Sequence, residues 1–271
     1  ILEALGPMSR NPEPLRLASV PDPSPGPGEV LVRVVTSGVC HTELDEIEGR
    51  TPPPSLPMIL GHQVVGKIEG MGPGAERFVV GDRVGVAWIF DACHGCHHCL
   101  AGNENLCSKF RATGRDANGG YAELMVVPED FAFPIPQVFT DAEAAPLLCA
   151  GAIGYRSFNL TNLEDGQPLG LTGFGASGHL VLKMVRHTCP ASEVFVFARS
   201  EGEREFAREL GAVWTGDTTE RAPVALAAII DTTPVWKPVL EGLRNLAPGG
   251  RLVINAIRKE DHDKEVLQEL D

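Results

Sequence analysis

The chain has 271 residues, 43% of them hydrophobic, and a formal net charge of −13. This composition can bury one large core or two medium ones, which excludes an intrinsically disordered chain. The acidic balance disfavours nucleic acids and anionic membrane surfaces as partners, because both are polyanions. No apolar run approaches the roughly 20 residues that a membrane-spanning helix needs.

The cysteines predict metal binding in a reducing compartment. Their number is odd, four of them crowd into one short stretch, and the N-terminus shows no basic head followed by an apolar run. We therefore expect reduced thiols and a cytoplasmic protein. The first residue is not Met, which suggests that the sequence is a fragment. The seven cysteines are Cys40, Cys93, Cys96, Cys99, Cys107, Cys149 and Cys189.

The first half of the chain predicts a compact, barrel-like β domain. Short β-prone runs are separated by glycine- and proline-rich turns, and this pattern is typical of all-β folds. The predicted domain covers residues 1–140, and its strands are expected at 30–35, 59–68, 84–89 and 121–127.

From residue 141 onward, apolar strands alternate with helical segments, which predicts a parallel sheet built from βαβ units. Asp141 is expected to cap a helix over 142–148. The usual doubly wound dinucleotide domain has six strands, and only five are visible here. Because the chain ends inside a predicted helix at 259–270, we expect a C-terminal segment to be missing. The predicted strands are 169–172, 194–197, 212–214, 227–230 and 251–255, with helices at 178–187, 203–210 and 235–246.

A glycine-rich turn predicts a dinucleotide site. Residues 169–178 read LGLTGFGASG, which places Gly173, Gly175 and Gly178 in the pattern G-x-G-x-x-G between a strand and a helix. The first glycine permits a tight turn, the second lets the backbone approach a pyrophosphate, and the third allows close packing of helix on strand. A purely structural glycine turn is the alternative, which the βαβ pattern that follows disfavours.

The end of the next strand favours NADP over NAD. Dinucleotide sites that prefer NAD carry an acidic residue about 20 positions past the glycines. Ala198 stands at that position here, and Arg199 and Ser200 follow it. An arginine and a hydroxyl can hold a 2′-phosphate through charge-assisted hydrogen bonds. Alternatively, Arg199 is a surface charge and Glu201 or Glu203 binds the ribose.

Four cysteines have the spacing of a closed zinc site. The run CHGCHHCLAGNENLC at 93–107 gives C-x2-C-x2-C-x7-C, and four thiolates complete a tetrahedron without leaving an open position. A ferredoxin run would continue as x3-C-P, and this one does not. The sequence therefore predicts a structural zinc bound by Cys93, Cys96, Cys99 and Cys107.

Two further cysteines and one histidine form a possible catalytic ligand set. Two thiolates and one imidazole leave a fourth position of zinc open for water or an alcohol. Spacing alone cannot bring Cys40, His62 and Cys149 together, because they lie far apart in the sequence. Taken singly, each residue has an ordinary structural interpretation.

The ordered set of motifs resembles the zinc-containing medium-chain alcohol dehydrogenases of the bacterial type with two metals, over essentially the whole chain. The resemblance implies a GroES-like β-barrel catalytic domain, an incomplete Rossmann domain and an active site in the cleft between them. The motifs are GVCHTE (38–43), LGHQVVG (60–66), GDRVGVAW (81–88), the four-cysteine loop, GGYAE (119–123), PLLCAG (146–151) and LTGFGASG (171–178).

The resemblance assigns a role to several residues. Cys40, His62 and Cys149 match the catalytic zinc ligands, and the four-cysteine loop matches the structural zinc. Thr42 matches the hydroxyl that contacts the substrate oxygen, and Glu43 matches the carboxylate that orients the ligand histidine. Trp88 matches a residue of the pocket wall.

Three positions depart from the family pattern. Asp45 replaces a histidine at the outer end of the proton relay, so a different relay is possible. Gln63 replaces a glutamate beside the metal, and Ile153 replaces a threonine that faces the nicotinamide.

The expected activity is the reversible oxidation of an alcohol with NAD(P), using two zinc ions per chain. The partners implied are a small alcohol or aldehyde and further copies of the full-length chain, as a homodimer or homotetramer. An aldehyde or polyol reductase of the same family is one alternative. An inactive zinc-stabilised fragment is another.

Overall fold

The computed structural model describes residues 1–261 and 263–270, and not the side chains of 269 and 270. The chain divides into two compact units, Ile1–Cys149 and Ala150–Asp271. The sequence placed this division earlier, at residue 140. Among the described residues, no helix has the length and apolarity needed to cross a bilayer.

The first unit is built on an antiparallel sheet in the order β6-β1-β2-β3-β7. In β1 the side chains of Val30 and Val32 are fully buried while Arg33 is exposed, as expected for a strand with one face on the core. A small sheet pairs β4 with β5. The strands are β1 (Glu29–Ser37), β2 (Val64–Met71), β3 (Arg83–Val86), β4 (Ile89–Asp91), β5 (Arg111–Ala112), β6 (Leu124–Pro128) and β7 (Ala132–Pro134).

Short helices connect these strands, and the first of them carries Thr42, Glu43 and Asp45. They are α1 (His41–Ile47), α2 (His97–Leu100) and α3 (Asp141–Pro146), with 3-10 turns at Glu104–Leu106 and Glu129–Phe131. A π-helical turn, Leu147–Gly151, follows α3 directly.

The second unit is a parallel sheet in the order β10-β9-β8-β11-β12. Every residue of β8 and β9 is buried, which explains why β9, with the sequence VFVF, is an uninterrupted apolar run. The strands are β8 (Leu169–Thr172), β9 (Val194–Phe197), β10 (Trp214–Gly216), β11 (Leu226–Asp231) and β12 (Leu246–Ile254). The helices are α4 (Ala152–Thr161), α5 (Ala176–Thr188), α6 (Glu201–Glu209) and α7 (Lys237–Leu243).

The predicted fold class is confirmed by this arrangement of a curled antiparallel sheet followed by a parallel sheet of five strands in the described residues. Two predicted strands, 169–172 and 194–197, have the predicted bounds. The predicted strand 84–89 is interrupted, because the chain leaves the main sheet after Val86 and resumes at Ile89 in the small one.

Helix ends differ more from the expectations. Thr140, and not Asp141, is the N-cap of α3, because its hydroxyl accepts from the Glu143 amide at 3.3 Å. The helix then gives way to the π-helical turn after Pro146. The helix predicted at 259–270 is a 3-10 helix confined to Lys264–Leu270.

The capping box of α3 yields a prediction. The Glu143 carboxylate also accepts a hydrogen bond from the Thr140 amide at 2.9 Å. Removing the Thr140 hydroxyl therefore breaks one of two reciprocal hydrogen bonds. Thr140→Ala should lower the free energy of unfolding by about 1 kcal/mol, measured by urea denaturation. Thr140→Ser keeps the hydroxyl and should match the unsubstituted chain. Equal stability of the Ala and Ser variants would contradict this assignment.

Candidate metal and nucleotide sites

Two cysteines and one histidine from distant parts of the first unit meet at one point. Cys40 Sγ lies 3.8 Å from Cys149 Sγ, and His62 Nε2 lies 3.3 Å from the same sulfur. The three ligand atoms all lie within 4.8 Å of one another. Cys40 is the N-cap of α1, His62 precedes β2, and Cys149 lies on the π-helical turn.

These separations fit a tetrahedral zinc ion. Two sulfurs, each about 2.3 Å from a tetrahedral ion, lie about 3.8 Å apart. A thiolate–thiolate–imidazole set is also a donor combination that zinc favours, with a fourth position left open. The π-helical turn that carries Cys149 is a helix irregularity often found at functional sites.

Glu43 fixes the orientation of the histidine. Its Oε1 lies 2.6 Å from His62 Nδ1, and its Oε2 accepts from the Cys40 amide at 2.7 Å. The carboxylate therefore ties two candidate ligands together from its place on α1. With Nδ1 facing the carboxylate, Nε2 is left to point at the sulfurs and to act as the metal-binding nitrogen.

The ionisable groups of this cluster are strongly coupled. The Cys149 thiol donates to Cys40 and, against burial, lowers the pKa of Cys40 to about 3. The same bond, together with burial, raises the pKa of Cys149. Burial opposes a charged imidazole, but Cys40 and Glu43 outweigh it and raise the pKa of His62 to about 9. Because metal ligands must be deprotonated, binding of a metal ion by this cluster would release protons from His62 and Cys149.

Two further residues define the immediate surroundings. The Thr42 hydroxyl lies 3.5 Å from Cys40 Sγ, and its side chain is almost fully buried. The Trp88 ring packs edge-on against the ring of His62 with centroids 4.9 Å apart. Trp88 thus packs directly against the candidate ligand histidine.

The four-cysteine loop closes on itself. The sulfurs of Cys93, Cys96, Cys99 and Cys107 all lie within 4.8 Å of one another, with Cys96 and Cys99 separated by 3.5 Å. α2 brings these two cysteines together, because it begins just after one and contains the other. Backbone amides donate to the sulfurs, as Lys109 does to Cys107 at 3.3 Å. This is a closed donor set, which suits a structural zinc ion.

The glycine-rich turn lies between β8 and α5 in the second unit. Gly173 has φ +78°, and a Cβ there would lie 2.8 Å from Thr232 Oγ1. A Cβ on Gly178 would lie 2.8 Å from the carbonyl oxygen of Gly173. Gly175, the N-cap of α5, faces open space, so a ligand can approach the backbone at the start of a 13-residue helix. This geometry fits a dinucleotide pyrophosphate.

Comparison with known proteins identifies the family. A family model described as the alcohol dehydrogenase GroES-like domain matches residues 26–137. The probable alcohol dehydrogenase AdhA of Mycobacterium tuberculosis is 43% identical over 94% of this chain and 74% of its own length. An alcohol dehydrogenase of Moraxella is 34% identical over 91% and 75%.

A solved structure gives the same result. CAD from Helicobacter pylori, complexed with NADP(H), superposes with a TM-score of 0.78 at 28% identity, covering 86% of this chain and 69% of that one. The chain belongs to the zinc-dependent medium-chain alcohol dehydrogenase family. The predicted activity is thereby confirmed: it is an NAD(P)-dependent oxidoreductase that acts on alcohols.

The three residues that depart from the family pattern lie in different surroundings. Asp45 is 5% exposed and ion-paired with Arg50, while His41 Nε2 lies 3.9 Å from the same carboxylate oxygen. Gln63 is buried, with its side chain packed at Gly38. Ile153 lies half-exposed on α4 of the second unit.

The predicted cofactor residues after β9 differ in their availability. Ser200 caps α6, because its hydroxyl accepts from the Glu203 amide at 3.1 Å and donates to the Glu203 carboxylate at 2.9 Å. Arg199 is exposed, and its backbone carbonyl accepts from Arg204 at 3.0 Å. Arg204, which the sequence reasoning missed, also donates to the Ala198 carbonyl and so fixes the loop.

Glu46 was also missed. It is fully buried on α1, three residues after Glu43, and neither of its carboxylate oxygens has a hydrogen-bond partner among the described residues. Burial, followed by the nearby charge of Glu43, raises the pKa of Glu46 to about 8. Its placement one helical turn from Glu43 could have been anticipated if α1 had been predicted.

Glu46 therefore predicts a pH dependence of stability. The folded chain holds this proton up to about pH 8, and the unfolded chain releases it near its ordinary pKa of 4.5. The contribution of this group to stability is therefore full at low pH and is lost as pH rises between the two values. In Glu46→Gln the melting temperature should fall less from about pH 5 to about pH 8 than in the unsubstituted chain.

The control is Glu123→Gln, which changes an exposed carboxylate of the same unit. It should retain the pH dependence of the unsubstituted chain. Melting curves for Glu46→Gln that parallel those of the unsubstituted chain across this range would refute a buried proton at Glu46.

Proposed function

We propose that this alcohol dehydrogenase binds two zinc ions per chain. Cys40, His62 and Cys149 are the proposed catalytic ligands, and the four-cysteine loop is the proposed structural site. The observation that carries the proposal is the convergence of two thiols and one imidazole within 4.8 Å, with Glu43 behind the imidazole. The four-cysteine set lacks an open position and is therefore assigned no chemistry.

Bound zinc supplies a Lewis acid for the alcohol oxygen, and the nicotinamide ring supplies the hydride acceptor. The chain's own residues position the reactants and move the proton. Thr42 Oγ1 is proposed to accept the substrate hydroxyl proton, because it lies 3.5 Å from a ligand sulfur and is shielded from bulk water. Glu43 keeps His62 in the tautomer that can bind the metal.

From Thr42 the proton is proposed to pass through the coenzyme ribose to Asp45 or to water. The Asp45 carboxylate is buried, but His41, 3.9 Å away, has a side chain that is 66% exposed. This histidine would connect the buried carboxylate to solvent. The pair would replace the single histidine that the family usually has at residue 45.

The substrates are proposed to be small or medium primary alcohols and the corresponding aldehydes. The relatives named as alcohol dehydrogenases support this class, as does a probable cinnamyl alcohol dehydrogenase of Populus deltoides that is 35% identical over 86% of this chain and 68% of its own length. The enzyme is proposed to be a cytoplasmic homodimer or homotetramer.

NADP is the proposed coenzyme. Ala198 offers no carboxylate to a ribose 2′-hydroxyl, and exposed Arg199 is available to a 2′-phosphate. The complex of the Helicobacter pylori CAD with NADP(H) supports this choice. Ser200 is proposed as a second contact, through a hydroxyl that also caps α6.

Substitution of Cys40 tests the proposed active site. Cys40→Ala should reduce zinc from two ions per chain to one, measured by elemental analysis, and should abolish alcohol-dependent formation of reduced coenzyme. Coenzyme affinity, measured by quenching of protein fluorescence, should stay within about twofold, because the glycine turn is untouched. Cys189→Ala, which removes a buried cysteine of the other unit, should keep both ions and full activity. Unchanged zinc content in Cys40→Ala would contradict the assignment.

Thr42 is tested separately. Thr42→Ala should lower kcat by about 100-fold, because proton transfer by a positioned group contributes roughly that much. Thr42→Ser keeps the hydroxyl and should recover most of the rate. Equal kcat values for the Ala and Ser variants would exclude the hydroxyl from the relay.

The coenzyme assignment is tested by Arg199→Ala. KM for NADP should rise about tenfold while KM for NAD changes little, because a charge-assisted bond to the 2′-phosphate is lost. Arg208→Ala removes an arginine from the same region, on α6, and should alter neither value. A clear preference of the unsubstituted enzyme for NAD would contradict the NADP assignment.

A further inference from the structure

A buried ion pair lies at the carboxyl edge of the parallel sheet. Asp231, the last residue of β11, has no exposed surface, and the Lys259 side chain is only 5% exposed. The Lys259 ammonium pairs with Asp231 Oδ2 and donates to the backbone carbonyls of Thr233 at 2.7 Å and Val235 at 3.0 Å. Charges buried this completely are tolerated only when they are paired and fully hydrogen-bonded.

The second carboxylate oxygen is also satisfied. Asp231 Oδ1 accepts from the hydroxyl of Thr172, the last residue of β8, at 2.6 Å and from the hydroxyl of Thr233 at 2.7 Å. One carboxylate therefore joins the ends of β8 and β11 to the segment that follows β12. The network has no unsatisfied member, which makes it rigid.

The segment after β12 lies along the loop after β11. The Asn255 amide donates to the Asp231 carbonyl, and the Glu260 amide donates to the Pro234 carbonyl, each at 2.7 Å. The Asp263 carboxylate accepts from the amides of Trp236 and Lys237, each at 2.8 Å. Asn255, Lys259, Glu260 and Asp263 thus hold residues 231–237 in place, with Lys259 at the centre.

This loop borders the glycine turn. A Cβ on Gly173 would lie 2.8 Å from Thr232 Oγ1 and 3.0 Å from Thr233 Cγ2. The sheet order reverses between β8 and β11, and ligands of such sheets bind outside the carboxyl ends of the strands at that point. The loop that Lys259 fixes therefore lies beside the pyrophosphate position.

The same topology assigns the two halves of a dinucleotide. The adenosine ribose binds at the end of the strand after the glycine turn, which is β9. β9 lies on one side of β8, and β11 and β12 lie on the other. The nicotinamide half is consequently expected over the ends of β11 and β12, where Asp231 and Lys259 lie.

We propose that the Asp231–Lys259 pair is a positioning element for the nicotinamide half of the coenzyme. The inference rests on the proposed dinucleotide site and adds a residue pair that touches no substrate atom itself. Lys259 holds the Thr232–Thr233 loop against Gly173 and so preforms the surface on which the nicotinamide ribose rests. The adenosine half, at the end of β9, does not depend on it.

The experiment compares whole dinucleotides with adenosine fragments. In Lys259→Met, the Kd for NADPH and NADH should rise about tenfold or more, because a loop that is no longer preformed has to be ordered when the dinucleotide binds. The Kd of 2′,5′-ADP and 5′-AMP should stay within about twofold. Lys237→Met changes an exposed lysine at the start of α7 and should leave every Kd unchanged.

Lys259→Met leaves the Asp231 carboxylate buried without its partner, which could unfold the chain. A second variant controls for this effect. Asp231→Asn combined with Lys259→Met removes both charges and should keep the fold while still weakening dinucleotides selectively. Wild-type Kd values for NADPH in these variants would overturn the positioning role, whatever their melting temperatures. Equal weakening of dinucleotides and fragments would also overturn it. If the unsubstituted chain binds neither, the dinucleotide site itself fails, and the positioning role fails with it.

Discussion

The contact between Glu43 and His62 is the interaction on which the proposed catalytic centre depends. A carboxylate 2.6 Å from one ring nitrogen selects the tautomer, fixes the ring plane and leaves the other nitrogen facing two sulfurs. The same carboxylate accepts the Cys40 amide, so one side chain fixes two of the three ligands. Both partners are almost completely buried, where such a contact is screened little by water.

The seven-residue helix α1 achieves this because of its spacing. Cys40 is its N-cap, Thr42 and Glu43 lie in its first turn, and Asp45 and Glu46 lie one turn later. The fixed rise of a helix converts these short sequence intervals into fixed distances around the metal ligands. This arrangement costs free energy, because α1 carries three buried carboxylates. Glu43 contacts a histidine, Asp45 pairs with Arg50, and Glu46 keeps its proton.

The sequence predicts the elements that follow from periodicity and the ligands that follow from local spacing. β9 reads as an apolar run because both of its faces are buried, and the four-cysteine loop closes within fifteen residues. The convergence of Cys40, His62 and Cys149 could not be derived in this way, because it depends on the path of β1, β2 and the π-helical turn. Family resemblance supplied that set. The pairing of Asp231 with Lys259 had no sequence signature, because the two residues are 28 positions apart and each is unremarkable alone.

Two of the buried carboxylates, Glu43 and Asp231, follow the same physical rule: each one orients the group that it contacts. Each lies on or at the end of a short element and contacts a neighbour that carries or can carry positive charge: Glu43 contacts His62, and Asp231 pairs with Lys259. Glu43 contacts a nitrogen of His62, a proposed metal ligand, so an error in its position would displace the proposed catalytic centre directly. Asp231 acts through Lys259 on backbone carbonyls, so an error there moves a whole loop. A carboxylate that contacts a ligand therefore governs reactivity, whereas one that anchors a loop governs the shape of a binding surface. The difference lies in what the partner touches, since burial and pairing are similar in the two cases.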